Sequence, residues 1–287
     1  MQTEDLKDFN HLLDIDGLVE IMKDDIKSEI KNLVEIPVLK IVGDIENSSI
    51  KSYYKQIVKL CDELDIVVID DTLDHVLDQL IRYNNNEIVL NYYGLLILLP
   101  LKDEHERIKY NEIRRIIPVE VDVDRISSVV RKDEFIYNPA TVDAIFDILS
   151  HNEIKVEGKI VTVIGRSENL GLPCINEFIR RDACVTVLHS KVIKYKHAFT
   201  PVTDILVTAT GIPNLISSDD ISDNTVVIDI GCGFDKDGKL HGDFDYNGID
   251  HTKIRYTPVP NGVGKITTLE LLRNTVNSRR KVLTRNK

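Results

Sequence analysis

The chain has 287 residues, enough for one or two domains with a packed core. Hydrophobic residues make up 43% and charged residues 29%, the balance of a soluble globular protein. The net charge of −11 argues against a nucleic-acid binder held by phosphate contacts and against a surface built for anionic membranes.

The N-terminus "MQTEDLKDFNHLLDIDG" is polar and acidic, neither a signal peptide nor a basic transit segment. The longest apolar run, Leu95–Leu99, falls far short of a membrane span, so a cytoplasmic protein is expected. Cys61, Cys174, Cys184 and Cys232 form no C-x-x-C pair and no zinc spacing; reduced thiols and no metal are expected.

Residues 17–34 carry apolar side chains at Leu18, Ile21, Met22, Ile26, Ile30 and Leu33, the spacing of a helix. "PVLKIVG" (37–43) predicts a short buried strand stopped by Gly43. Residues 49–64 return to the helical period through Ile57, Leu60, Cys61 and Leu64. "IVVID" (66–70) reads as a strand, "LDHVLDQLIRY" (73–83) as a helix and "YGLLILLPL" (93–101) as a strand ended by Pro100. Alternating strands and helices predict a parallel sheet. Residues 102–116 read as a charged helix and 117–128 as an acidic loop. A helix opens near Pro139–Thr141, where proline suits a first helical turn, and bridges two domains.

Four apolar β-branched runs follow, at 159–165, 184–190, 204–211 and 225–231, each ending in Gly or a small polar residue. They predict a second open parallel sheet with binding loops at its carboxyl edge. The last segment, "GKITTLELLRNTVNSRR", predicts one amphipathic helix whose basic end reads as a solvated face suited to a helix C-terminus.

The stretch "VIGRSENLGLP" carries the first chemistry. A strand ends at Ile164 and a helix starts near Gly171, where first-turn N–H groups lack intrahelical partners and attract phosphate. Gly165 allows close backbone approach; Arg166 and Ser167 add a cation and a hydroxyl. An ordinary strand–helix turn explains the same letters, and the G-x-G-x-x-G fingerprint is absent. The next strand ends "VLHSK", with His189, Ser190 and Lys191 where a dinucleotide site usually places an acid for the ribose. Donors there favour a 2′-phosphate, hence NADP over NAD. His189 reads equally as a half-buried imidazole satisfied by backbone.

Together these pieces resemble the methylenetetrahydrofolate dehydrogenase/cyclohydrolase family. "GRSENLGLP" is similar to G-R-S-x-x-V-G-x-P, and "TVLHSK" to T-V-x-H-S. "TPVPNGVGKIT" (257–267) is similar to T-P-V-P-G-G-V-G-P-M-T, and "LHGDFDY" (240–246) to G-D-V-D-F. "GLLILLPL" resembles G-I-L-V-Q-L-P-L, and "VDVD" (121–124) resembles K-D-V-D. The resemblance runs over essentially the whole chain, in order. It implies an α/β protein of two α/β domains with a cleft between them, the second a Rossmann-type doubly wound parallel sheet, and a homodimer. The folate-binding domain is expected at 1–138, with helix 265–287 packing back on it, and the NAD(P)-binding domain at 139–264.

The resemblance also assigns roles. Gly165, Arg166, Ser167, Ser190, Gly211 and Cys232 fall at cofactor-binding positions, for NADP with NAD possible. Tyr53, Asp124, Pro258, Val259, Pro260 and Gly262 fall at positions that hold tetrahydrofolate, the one-carbon carrier. Asp124 stands at the place that pairs with pterin N–H groups; on its own it reads as a loop carboxylate capping a turn. Arg125 replaces a family Gly, Asn261 another Gly and Lys265 a Pro. Asn tolerates left-handed backbone, so the 257–262 turn is expected to survive.

The family's cyclohydrolase uses a Tyr, a Lys four residues later and a Gln on the neighbouring strand. Anchored on "CDELDI", the Tyr is Tyr53, the Lys is replaced by Ile57 and the Gln by Leu98. Anchored on "VGD", Lys51 and Lys55 take the Tyr and Lys places instead, but Leu98 remains. The expected function is oxidation of 5,10-methylenetetrahydrofolate to 5,10-methenyltetrahydrofolate with weak or absent cyclohydrolase activity. A bifunctional enzyme, a catalytically silent ligand-binding relative and another nicotinamide-dependent dehydrogenase are the competing readings.

Overall fold

The structure is a computed structural model that describes residues 10–127, 137–234, 238–249 and 253–285. Residues 1–9, the end of the acidic loop at 128 and the side chains at the basic end of the last helix, all read above from sequence, lie outside the described residues.

The chain forms two compact units. One comprises Glu20–Ala140 together with the chain from Thr268 onward. Its sheet contains β1 (Val38–Val42), β2 (Val67–Asp71) and β3 (Gly94–Ile97), all parallel in the order β2-β1-β3. Parallel neighbours need crossovers, and helices supply them. These are α2 (Ser48–Glu63), which follows α1 (Asp16–Lys31), then α3 (Leu73–Asn84); α4 (Glu104–Ile116) follows β3. Thr72 caps α3 by accepting the His75 N–H at 3.3 Å, and Asp103 caps α4 by accepting the Glu106 N–H at 2.9 Å. Val76, Leu80, Leu95 and Ile113 are fully buried in the core between these elements.

One residue in β1 breaks the apolar pattern. Lys40 is only 2% exposed, and its Nζ donates to Asp71 at 2.6 Å and to Gln79 at 2.7 Å. A buried ammonium is tolerable only when paired and hydrogen-bonded in this way.

The other unit comprises the described chain up to Val19 and Thr141–Thr267. The described residues 10–19, assigned above to the first domain, therefore belong here. The cause is backbone pairing: Leu13 N–H donates to the Tyr256 carbonyl at 3.0 Å, and Tyr256 N–H to the His11 carbonyl at 2.8 Å. After α5 (Ala140–His151) come β4 (Ile160–Ile164), α6 (Gly171–Arg180), β5 (Cys184–Leu188), the short α7 (Lys196–Phe199) and β6 (Ile205–Thr208). Then follow β7 (Ile216–Ser217), β8 (Val226–Asp229), β9 (Gly233–Phe234), β10 (Leu240–His241), β11 (Phe244–Asp245) and β12 (Arg255–Tyr256). Five strands form one parallel sheet in the order β12-β8-β6-β4-β5. The four expected runs are all present; β12 adds two residues that no apolar run announced. The strand order reverses between β4 and β6, and ligands of open α/β sheets bind outside the carboxyl ends of strands at such a point.

The last helix, α8 (Val263–Arg285), enters the first-described unit at Thr268. There Asn274 donates to the Val123 carbonyl at 3.0 Å. No helix among the described residues is long and apolar enough to cross a membrane.

Candidate active site

At the switch point, Gly165 ends β4 with φ of +132°, and a Cβ there would lie 2.8 Å from the Ala209 carbonyl oxygen. Only glycine lets the two strand ends approach so closely. A cavity of about 260 Å³ opens beside them, lined by Gly165, Arg166, His189, Ser190, Ala209 and Thr210, with Ile193, Ile212 and Leu215 among its apolar walls. Arg166, Ser167 and Ser190 are exposed and His189 is half-buried. His189 Nδ1 accepts the Lys191 N–H at 3.3 Å, so the backbone-satisfied reading of that imidazole holds for one of its nitrogens.

The helix N-terminus differs from expectation. Ser167 Oγ accepts the Gly171 N–H at 3.2 Å, its carbonyl accepts the Leu172 N–H at 3.0 Å, and Pro173 has no N–H. The first-turn donors of α6 are thus largely consumed by Ser167. What remains for an anion is the Arg166 guanidinium, the Ser167 hydroxyl proton and the helix dipole.

Gly211, with φ of +71°, follows β6, and a Cβ there would lie 3.4 Å from the Cys232 carbonyl. Cys232 is exposed; burial and then the charges of Asp243 and Asp229 push its thiol up. In the 257–262 loop the Val259–Pro260 peptide is cis, and a Cβ on Gly262 would meet the Pro258 carbonyl at 2.1 Å. Asn261 stands at φ of +74°, the left-handed backbone that Gly or Asn accepts. Lys265 pairs with Asp16 at 2.8 Å.

The remaining site residues belong to the three-stranded unit. Asp122 is buried and accepts the N–H groups of Ile126 at 2.7 Å and Ser127 at 3.0 Å. Burial nonetheless pushes its carboxyl up to about 6. This tight turn holds Arg125 at φ of +52°, left-handed backbone that a glycine would adopt without strain. Asp124 is pushed up to about 7 by burial and by Asp122, against a hydrogen bond from the Ala140 N–H. Capping the first residue of α5 is therefore part of its work. Tyr53, half-buried on α2, faces the same group: burial and then the charge of Asp124 push its phenol up to about 12, against a hydrogen bond with Thr268.

Ile57, one turn after Tyr53, is fully buried. Leu98, 3% exposed, donates its N–H to the Val42 carbonyl at 2.8 Å; its Cβ would lie 2.8 Å from a Cβ on Gly43. Lys55 is exposed, and Lys51 pairs with Glu46 at 3.0 Å.

The family model for the tetrahydrofolate dehydrogenase/cyclohydrolase, NAD(P)-binding domain, matches residues 139–283. The bifunctional protein FolD of Staphylococcus aureus is 32% identical over 84% of this chain and 85% of its own length. The chain belongs to the tetrahydrofolate dehydrogenase/cyclohydrolase family. The bifunctional 5,10-methylenetetrahydrofolate dehydrogenase/cyclohydrolase of Thermoplasma acidophilum superposes with a TM-score of 0.82 at 25% identity, covering 96% of this chain and 100% of that one. The bifunctional enzyme FolD of Campylobacter jejuni gives 0.80 at 27% identity, covering 94% and 99%. The α/β class with two domains and a Rossmann-type NAD(P)-binding sheet is the fold of this family.

Within that fold, sequence reasoning passed over Asp122, Thr268, Thr210, Asp229 and Asp243. The doubled acids of "VDVD" and the acid ending the apolar run "TVVID" were available signals. Thr268 and Thr210 gave none, because a threonine declares itself only through its neighbours.

Proposed function

We propose that this chain oxidises 5,10-methylenetetrahydrofolate to 5,10-methenyltetrahydrofolate with NADP, or NAD, as hydride acceptor, and that its methenyltetrahydrofolate cyclohydrolase activity is weak or absent. It does so as a cytoplasmic homodimer. Membership of the family supports the first part. The observation that carries the second is the burial of Ile57 and Leu98 as apolar side chains at the family's Lys and Gln places.

The donor set of the cavity fits a phosphorylated dinucleotide: Arg166 and Ser190 offer positive charge and a hydroxyl proton, exposed Ser167 adds a second hydroxyl next to Arg166, and no acid among the described residues lines it. The nicotinamide supplies the hydride acceptor when bound. Gly165 and Gly211 let the backbone approach the cofactor, and Cys232 borders it. Pro258, Val259, Pro260 and Gly262 offer a rigid surface with few side chains. Hydride transfer asks for orientation and a dry pocket rather than protein acids and bases.

Asp124 binds the pterin. An ionised carboxylate accepts two N–H donors, so binding favours loss of the proton that burial retains. Tyr53 lies within reach of its charge, with a phenol that stays protonated at neutral pH. Hydrolysis differs, since water must attack the methenyl carbon and a base must take its proton. Missing a positioned base costs about 10²–10⁴-fold in rate. Exposed Lys55 and paired Lys51 support the register that puts Ile57 there.

The test is an assay of purified protein with methylenetetrahydrofolate, following reduced cofactor with NADP and NAD separately, and decay of methenyltetrahydrofolate. Turnover in the first assay and near-background decay in the second are expected. Folded protein that reduces neither cofactor would refute the dehydrogenase reading; fast enzymatic hydrolysis would refute the pocket assignment.

A further inference from the structure

Two buried aspartates at the carboxyl edge of the five-stranded sheet have no part in the reading above. Asp229 ends β8 and is 2% exposed; Asp243 precedes β11 and is fully buried. Hydrogen bonds join them to each other and to the loop after β6. Asp229 Oδ1 accepts from Thr208 Oγ1 at 2.9 Å and from the Asp243 N–H at 3.2 Å, and its Oδ2 accepts the Phe244 N–H at 2.9 Å. Asp243 Oδ2 accepts both the N–H of Thr210, at 2.6 Å, and its hydroxyl, at 2.8 Å. Thr210 Oγ1 in turn accepts the Ile212 N–H at 3.1 Å.

Two glycines make room for this chain of bonds. A Cβ on Gly242 would lie 2.0 Å from Asp229 Oδ2, and one on Gly231 2.0 Å from Asp243 Cγ. Each carboxylate thus occupies the space of a missing side chain and is held in place by shape as well as by bonding.

The arrangement is expensive for the fold. Asp243 Oδ1 is buried without a hydrogen-bond partner, and an unsatisfied buried oxygen is a cost that an apolar residue would avoid. What a carboxylate adds is direction: it fixes both donors of Thr210, and through Thr210 the backbone at Ile212. Thr210 and Ile212 line the same cavity as Arg166 and Ser190.

We propose that Asp243 is a positioning residue for the nicotinamide cofactor, holding the Thr210–Ile212 loop in its cofactor-receiving conformation, with Asp229 fixing Asp243 in turn. This rests on the reading of that cavity as the cofactor site.

The test measures Kd and KM for NADP and for the folate substrate in wild type, Asp243→Ala, Thr210→Val and Thr210→Ser. Asp243→Ala weakens cofactor binding by about ten- to a hundredfold, the effect of losing hydrogen bonds to a charged group, and moves folate binding less than about twofold. Thr210→Val loses part of that affinity and Thr210→Ser, which keeps the hydroxyl, recovers most of it. Unchanged cofactor KM in folded Asp243→Ala would overturn the proposal, as would equal losses for cofactor and folate, the mark of a merely structural role. If Asp243→Ala does not fold, identical cofactor KM in Thr210→Val and Thr210→Ser overturns it. Failure of the underlying reading looks different: wild-type protein would then bind neither NADP nor NAD.

Discussion

On the proposed reading, the carboxyl edges of the two sheets depart to different degrees from the family pattern. At the five-stranded sheet, Gly165, Arg166 and Ser190 line an open cavity, with exposed Ser167 next in sequence to Arg166. At the three-stranded sheet, the charge of Asp124 reaches Tyr53, while Ile57 and Leu98 are buried at the positions proposed above to stand for a cation and an amide. On the proposed reading, the apolar replacements fall on groups that manage a proton, while Asp124 and the glycines and hydroxyls of the cofactor-side motifs are kept. The product of hydride transfer is the substrate of hydrolysis, but the two steps differ in what they require of the protein, so one can be lost without the other.

The largest effect is expected from reversing that difference. Ile57→Lys combined with Leu98→Gln should raise methenyltetrahydrofolate hydrolysis by about 10²-fold, the value of a positioned proton-transfer group. Methenyl decay at fixed pH, with circular dichroism to verify folding, checks it. A folded double variant with no gain would show that the two edges differ for another reason.

Asp124→Asn probes the group retained on the folate side. The amide turns a donor toward pterin donors, so folate KM should rise by about ten- to a hundredfold while cofactor KM stays put. Because the wild-type carboxyl is pushed up to about 7, its folate affinity should improve as pH rises through that value, and the variant should lack this dependence. Stability moves the other way. A carboxyl whose folded pKa lies above its unfolded value holds more protons in the native state between roughly pH 4 and 7, so native stability falls as pH rises across that window. Asp124→Asn should therefore melt higher than wild type above pH 7, by about 1–3 kcal/mol at most. Equal melting across the range would mean that Asp124 is not desolvated.

Arg166→Ala tests the cofactor edge. With α6 donors consumed by Ser167, the guanidinium carries most of the attraction for phosphate. NADP KM should rise about tenfold, and NAD KM by less if Arg166 meets the 2′-phosphate. Equal losses for both would place Arg166 at the pyrophosphate instead.

The strands were legible because β-branched runs such as "KIVTVIG" and "TVVIDIG" state their burial directly, and the family motifs picked out Gly165 at the end of one such run and Asp124 in the acidic loop. Other features depend on what the fold brings alongside. Lys40 sits in an apolar run, yet partners from later elements, Asp71, Gln79 and the Tyr92 ring, make its burial tolerable. The first-turn donors of α6 looked available until Ser167 folded back on them. Asp229 and Asp243 lie 14 residues apart in sequence, and nothing in either stretch announced that they share one buried space.

The smallest effect separates two departures from glycine, one in each unit. Arg125 at φ of +52° and Asn261 at φ of +74° both hold left-handed backbone. An ordinary side chain there costs about 1–2 kcal/mol, whereas Asn visits the region readily. Glycine would relieve the strain but also loosen the unfolded chain by about 0.5–1 kcal/mol. Asn261→Gly should thus be near neutral, and Arg125→Gly should stabilise by up to about 1 kcal/mol where charge plays no part. Charge does play a part at Asp122, which burial pushes up to about 6 and which Arg125 pulls back down. Below pH 5 that carboxyl is protonated and the arginine does little for it, so the gain from Arg125→Gly should appear in full. Above pH 7 the variant leaves a buried carboxylate with Arg114 but without the second cation acting on it, and the gain should shrink or reverse. Denaturant melts of the two glycine variants at pH 5 and pH 8 measure this; a gain for Arg125→Gly that ignores pH would mean that its side chain does not act on Asp122.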